Sequence, residues 1–132
     1  MSDLRLYIVF RSDLPEMTRA KGEVQAAHAA ASMIFRAFTN PDDPDTAQKM
    51  FEYMGDFTDE VTEGQAKVLM EVDDFSGLEA IQKLAKKRGV NSVLIRDAAR
   101  TVFDQPTYTC IGIGPCSKTD GNAITRKARK RA

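Results

Sequence analysis

The sequence predicts an α/β layer fold built on a small mixed sheet, and two observations lead to this prediction. Short β-branched and aromatic runs alternate with longer stretches of helical periodicity, in the order βααβαββα. The last two strands lie close together in the sequence, so one of them is expected to run antiparallel. A chain of 132 residues fits one domain, residues 1–132.

The first half of the chain is predicted to form one strand and two helices. Residues 4–10 (LRLYIVF) are almost continuously apolar, as in a buried strand. Residues 20–38 show apolar positions every three or four residues, which is typical of a helix with one buried face. After a break rich in Pro and Asp, with Asp45 as the predicted N-cap, residues 46–54 form a short helix. The predicted buried face of the first helix consists of Val24, Ala27, Ala31, Ile34 and Phe38.

The second half is predicted to supply three more strands, over residues 65–72, 93–95 and 108–113. A helix begins near residues 73–76 and ends at Lys86-Lys87-Arg88-Gly89, where cations and a glycine suit a helix C-terminus. A last basic helix is predicted over residues 122–130. Strands that follow crossover helices are expected to be parallel.

The formal net charge of zero hides a strong asymmetry. An acidic insertion at about residues 41–63 contrasts with a basic tail at about residues 122–132. This asymmetry predicts one surface that repels polyanions and another that attracts them. A solvated acidic loop and a frayed tail would give the same pattern.

The sequence argues against a membrane protein, a secreted protein and a metal or redox protein. No apolar run approaches the length of a membrane span, and the N-terminus lacks the features of a signal peptide, so we expect a cytoplasmic protein that does not enter a membrane. Cys110 and Cys116 are spaced unlike zinc or redox pairs and are expected to be reduced thiols that are either buried or without a function. The single histidine, His28, argues against a metal site, and no cofactor is expected.

The candidate chemistry lies where strands end, since ligands of open α/β sheets gather beyond the carboxyl ends of the strands. Lys21 lies near the start of the first helix, where a cation is unfavourable unless an anion is nearby. Asp97 follows a buried strand, and Thr101 lies four residues later. This set suits water activation and charge stabilisation. A simple salt bridge between Asp97 and Lys21 or Arg100 is the structural alternative.

Four further residues are candidates for substrate binding. Arg19 and Arg100 can contact phosphate groups. Gln25 shares the helix face of Lys21. His28, two turns beyond Lys21, is either a hydrogen-bonded core histidine or a functional group, and the sequence leaves this open.

Five segments containing these residues together resemble the type 2 peptidyl-tRNA hydrolases of archaea and eukaryotes. The segments are YIVFRSDL at residues 7–14, Lys21 followed by QAAHA at 25–29, GQAKV at 64–68, LIRDAART at 94–101 and GIGP at 112–115. The match covers about residues 4–38 and 64–115.

The resemblance implies a three-layer α/β/α fold with a four-stranded mixed sheet and a homodimer. It also implies hydrolysis of the ester bond between peptide and tRNA, with peptidyl-tRNA as the partner molecule. The catalytic residues of the family fall on Lys21, Asp97 and Thr101, and its helix glutamine and histidine fall on Gln25 and His28.

Two departures from the family pattern keep other functions open. Ala20 stands where a glycine precedes the lysine in the family, and Ala99 also replaces a glycine. The alternatives are a non-catalytic relative that binds tRNA, another RNA or a protein, and a hydrolase of another aminoacyl or peptidyl ester.

Overall fold

The computed structural model describes residues 3–55, 65–98 and 105–131. Within them the chain forms four α-helices and five β-strands in the predicted α/β arrangement. The elements are β1 (Arg5–Arg11), α1 (Arg19–Thr39), α2 (Pro44–Met54), β2 (Ala66–Val72), α3 (Phe75–Lys87), β3 (Ser92–Asp97), β4 (Thr107–Cys116), α4 (Lys118–Ile124) and β5 (Arg129–Lys130).

The sheet is mixed and has the strand order β3-β4-β1-β2-β5. β1 and β2 are parallel, whereas β4 is antiparallel to both β1 and β3. The predicted parallel pairing across the first crossover and the antiparallel last pair are therefore confirmed. The prediction of four strands is wrong, because the described residues contain a fifth, β5, which pairs antiparallel with β2.

The error at the C-terminus concerns the predicted helix over residues 122–130. The helix starts earlier, because the Ser117 side chain caps it by accepting a hydrogen bond from the Asp120 N–H, and it ends at Ile124. The basic residues that follow form a short strand instead of continuing the helix. Arg129 bonds Glu71 and Asp73 on the β2 side, at 3.1 and 2.7 Å, which holds this strand on the sheet edge.

Two apolar clusters form the core, and successive residues of β1 contribute to each. Leu6, Ile8 and Phe10 belong to the cluster that contains buried residues of α1 and α2. Tyr7 and Val9 belong to the cluster that contains buried residues of α3 and α4. This follows from the alternation of side chains along a strand, which lets a central strand serve both faces.

The buried face of α1 is not the predicted one. Val24 and Phe38 are half exposed, at 48% and 50%, and Ala27 and Ala31 are exposed as well. The residues that face the sheet are Lys21, Gly22, Gln25, Ala29, Met33 and Ala37. The predicted stripe followed apolar residues, but the real one consists of small residues, Met33 and two polar side chains. Small residues let α1 lie so close to β4 that a side chain at Gly112 would overlap Met33.

Both cysteines are free, as predicted, and both are buried. Burial raises the pKa of the Cys110 thiol to about 12 and that of the Cys116 thiol to about 11, so both are protonated at neutral pH. Within the described part of the chain, no helix is both long and apolar enough to cross a bilayer.

Candidate active site

The sheet topology explains why residues distant in sequence meet at one place. β1, β2 and β3 all run in the same direction, so their carboxyl ends lie at the same edge of the sheet. α1 begins after β1, and Asp97 is the last residue of β3. Because β4 is reversed, its first residues return to this edge. The segment Gly112–Pro115, near the other end of β4, therefore lies away from it.

Lys21 is positioned by the start of α1. Thr18 is the N-cap residue, and its hydroxyl accepts a hydrogen bond from the Lys21 N–H at 3.1 Å. The first turn of α1 contains no acidic residue to complement the helix dipole. The lysine side chain is nevertheless 93% buried, since only 7% of it is exposed. A buried ammonium in this position requires an anion from elsewhere in the fold.

Asp97 supplies that anion. Its Oδ2 atom lies 2.6 Å from Lys21 Nζ, and its side chain is also only 7% exposed. Asp97 is the final residue of β3, because the strand is longer than the predicted one over residues 93–95, which would leave Asp97 just beyond its end. Its place on the strand fixes its backbone and aims the side chain at α1, where the ion pair forms.

Gln25 completes the polar cluster and introduces a residue that the sequence analysis missed. Its Nε2 donates to Asp97 Oδ2 at 3.3 Å, and its Oε1 accepts from the Thr109 hydroxyl at 2.7 Å. Gln25 and Thr109 are 1% and 0% exposed. The Thr109 hydroxyl thereby sets the orientation of the Gln25 amide, so that its NH₂ group points to the carboxylate. A threonine in a strand carries no local signal of such a role.

The other candidate residues lie outside this buried polar cluster or outside the described residues. Arg19 is 96% exposed beside the site and forms an ion pair with Glu23 at 3.4 Å. His28 is exposed, which excludes the interpretation as a core histidine. Arg100 and Thr101 lie outside the described residues, as does Ala99, and the same holds for residues 56–63 of the acidic insertion.

The basic residues at the end of α3 lie at the opposite end of β3 from Asp97, so they make no direct contact with it. Lys86, Lys87 and Arg88 precede the start of β3, and Asp97 is its last residue. Six strand residues separate the two ends by about 20 Å. Arg88 also pairs with Asp120 at 3.0 Å. In the basic tail, Arg129 and Arg131 pair with Glu71.

A cavity of about 830 Å³ opens beside the ion pair, between α1 and β3. This volume is in the range of small-molecule and peptide sites. Lys21, Gln25 and Asp97 lie in its wall, and most of the remaining wall is apolar. In residues 3–55, 65–98 and 105–131, no three His, Cys, Asp or Glu side chains form a group able to hold a metal ion.

Chemically, the site combines a buried carboxylate, a buried ammonium and an open cavity. A carboxylate can orient and activate water, and an ammonium can neutralise charge that develops on a carbonyl oxygen. The arrangement therefore suits hydrolysis of an ester or amide.

Comparison with known proteins identifies the class. The model of the family described as "Peptidyl-tRNA hydrolase PTH2" matches residues 4–130. The peptidyl-tRNA hydrolase of Methanopyrus kandleri is 34% identical over 118 residues, covering 89% of this chain and 90% of that protein. Peptidyl-tRNA hydrolase 2 of Saccharomyces cerevisiae is 31% identical, and the matched region covers 93% of this chain and 56% of the yeast protein. The chain belongs to the PTH2 family of peptidyl-tRNA hydrolases.

A solved structure also shares the fold. A protein of unknown function from Agrobacterium tumefaciens strain C58 superposes with a TM-score of 0.62 at 20% identity, over the full length of both chains. At this identity the likeness concerns the fold alone.

Proposed function

We propose that this protein hydrolyses the ester bond between the peptide and the tRNA of peptidyl-tRNA and so returns the tRNA for use. The buried ion pair between Lys21 and Asp97, at the wall of an open cavity, is the observation that carries this proposal. Family membership supports it, because the curated relatives are named peptidyl-tRNA hydrolases.

In the proposed mechanism Asp97 orients a water molecule and accepts its proton as the water attacks the ester carbonyl. The bond between the carbonyl carbon and the ribose oxygen then breaks, and that oxygen takes up the proton and leaves as a hydroxyl of the tRNA, with the peptide released as its carboxylate. Gln25 and Thr109 hold the carboxylate in place through the hydrogen bonds described above. Lys21 stabilises the negative charge on the carbonyl oxygen, assisted by backbone N–H groups in the first turn of α1. The resemblance assigns Thr101 a part in positioning the water.

In this geometry Lys21 and Asp97 can form a salt bridge and still take part in catalysis. A purely structural pair gains nothing from a cavity, and burial of two charges is a poor source of stability. Here the pair lies in the wall of an opening large enough for a substrate. This favours hydrolysis over a relative that only binds RNA or protein.

We further propose that tRNA is bound on the side of the site where Arg19 is exposed. The tRNA backbone is a polyanion, and an arginine two residues before the site lysine suits contact with a terminal phosphate. Arg100 and His28 are proposed to contribute to substrate binding as well.

The proposal also covers the layer arrangement, the oligomeric state and the cellular location. The two core clusters support a three-layer α/β/α arrangement. A homodimer is supported by the aromatic ring of Phe38, which is 50% exposed and which a second copy would cover. A cytoplasmic location suits a substrate that arises during protein synthesis.

The test is an assay of purified protein with three substrates: N-acetyl-aminoacyl-tRNA, free aminoacyl-tRNA and a simple aminoacyl ester. Release of tRNA from the first substrate alone, at a rate far above the spontaneous rate, is the expected result. Equal cleavage of the simple ester would favour a general esterase. No cleavage of any of the three would favour a binding protein.

A further inference from the structure

The cavity beside the ion pair has an unusual wall on the side of β3. Residues 93–98, six in succession, all line it. Successive residues of a strand point to opposite faces of the sheet, so a cavity over one face would contact only every second residue. A cavity lined by every residue therefore runs along the edge of the strand. Within the described residues β3 pairs with β4 alone, so this is its outer edge.

The opposite wall is a single stripe of α1. Its members recur every three or four residues over four turns, as neighbours on one helix face do. The stripe begins at Lys21 and continues through Val24, His28, Ala31 and Phe35. Val24 and Phe35 are 48% and 68% exposed, so the groove offers apolar surface that the fold itself leaves uncovered.

We propose that this groove binds the peptide part of peptidyl-tRNA as an extended strand paired with the outer edge of β3. The inference rests on the proposed function and extends it. The occupant follows from continuity: the groove ends at the Lys21–Asp97 pair, where the ester must be cut. A chain attached to that ester and lying in this groove is the peptide.

The geometry also fixes the direction and length of the bound peptide. Its C-terminal carbonyl lies at Asp97, the end of β3, so the peptide runs parallel to β3 from residue 93 towards residue 98. Six residues of strand span about 20 Å, and α1 rises about 21 Å between Lys21 and Phe35. Phe35 therefore contacts a peptide residue about five or six positions from the ester.

Strand addition suits a substrate whose sequence varies. Backbone N–H and C=O groups at a sheet edge bind any sequence except proline at the paired positions. The apolar stripe of α1 then adds contact with whatever side chains point towards the helix. The protein thus recognises the peptidyl part of its substrate mainly by its backbone.

The first experiment measures kcat/KM for N-acetylated peptidyl-tRNAs with one to eight residues. We expect kcat/KM to rise by about 10-fold or more with peptide length up to about five or six residues and then to level off. Hydrolysis that is independent of length would overturn the groove assignment and leave the proposed function intact. Failure to cleave a substrate of any length would instead overturn the proposed function.

The second experiment uses a matched pair of variants. Phe35→Ala removes a ring at the far end of the groove, and Phe51→Ala removes an equally exposed ring on α2, outside the groove. Phe35→Ala is expected to lower the ratio of kcat/KM between six-residue and one-residue substrates by about 5- to 10-fold. Phe51→Ala is expected to preserve that ratio. An equal effect of both variants, or a loss in Phe35→Ala that follows a change of oligomeric state in sedimentation, would contradict the proposal.

The third experiment tests the backbone pairing directly. Parallel strands bond through alternate residues, so N-methylation of every second peptide amide should lower kcat/KM by about 5- to 10-fold, and methylation of the amides between them should not. Equal effects at all positions would exclude strand addition.

Discussion

Lys21 and Asp97 lie 76 residues apart in the chain, and their side chains form an ion pair of 2.6 Å that is almost fully removed from water. Each charge accounts for the burial of the other. The ammonium alone would be unfavourable at the start of a helix, and the carboxylate alone would be unfavourable at the end of a buried strand. The pair also lies at the end of the proposed peptide groove, where both groups can reach an ester.

Loss of either charge is expected to stop catalysis. Lys21→Met and Asp97→Asn each keep the approximate size of the side chain but remove its charge. Loss of one electrostatic group at an active site costs roughly 100- to 1000-fold in kcat, and we expect a decrease of this size for each variant. The measurement is single-turnover hydrolysis of N-acetyl-aminoacyl-tRNA.

The double variant separates catalysis from stability. Removing one partner of a buried ion pair destabilises a protein by about 3–5 kcal/mol, whereas removing both charges together is often neutral. Lys21→Met/Asp97→Asn should therefore unfold at a higher urea concentration than either single variant and still be inactive. Recovery of activity together with stability would show that the pair is only structural.

Thr109 is expected to affect turnover through Gln25. Thr109→Val removes the hydroxyl that donates to Gln25 Oε1 at 2.7 Å, so the amide loses the contact that fixes its orientation towards Asp97. We expect kcat to fall by about 10-fold, the equivalent of one hydrogen bond, with KM nearly unchanged.

Thr109→Ser provides the control, because it keeps the hydroxyl and removes a methyl group. We expect this variant to restore most of the kcat that the valine variant loses. If serine and valine lowered kcat equally, the packing of the methyl group rather than the hydrogen bond would be responsible.

Sequence patterns predicted the sheet connections and the meeting of Lys21 with Asp97 because these depend on long-range rules. Parallel strands end at the same edge, and a helix that follows the first strand must start there. The same rules cannot identify Thr109, whose role depends on the reversal of β4 and on contact with a glutamine 84 residues away.

The errors came from local features that tertiary contacts override. In α1 several apolar residues, Val24, Ala31 and Phe38 among them, lie on the exposed face, because the face on the sheet is occupied by small residues, by Met33 and by the polar side chains Lys21 and Gln25. The apolar stripe that misled the prediction includes Val24, which lines the proposed peptide groove. At the C-terminus, a basic segment with helical composition became a strand, since Glu71 of β2 and Asp73, just after β2, bind Arg129.

Binding of the tRNA part is expected to depend on salt through Arg19. If this exposed arginine neutralises one phosphate, Arg19→Gln should reduce the slope of log(1/KM) against log salt concentration by about 0.7–0.9. Lys49→Gln is the control, since Lys49 is a cation on α2 that, like Arg19, pairs with an acid one turn away, at 3.1 Å, and its side chain is 43% exposed. A similar change of slope for both variants would mean that net charge alone, rather than a contact of Arg19, governs the effect.

The stability of α2 should depend on pH through Asp43. Structure and prediction differ here: the N-cap is Asp43 rather than Asp45, and its carboxylate accepts bonds from the Thr46 hydroxyl and backbone N–H, at 2.6 and 3.1 Å. These bonds, the hydroxyl first, lower the pKa of Asp43 below its ordinary value of 3.8. A carboxyl whose pKa is lower in the folded state stabilises the protein above the unfolded pKa and loses this effect as the pH falls through the folded pKa.

Asp43→Ala is therefore expected to reduce the free energy of unfolding by about 1 kcal/mol at pH 7, the usual effect of an N-cap. The difference between the wild type and this variant should be smaller when urea unfolding is repeated near pH 3, below the ordinary pKa of 3.8, because the unfolded state then binds a proton that the capping carboxylate resists. Asp45→Ala serves as the control and should cost less than about 0.5 kcal/mol, since its exposed ion pair with Lys49 contributes little. A cost for Asp43→Ala that is the same at both pH values would show that the charge of the cap plays no part in holding the helix.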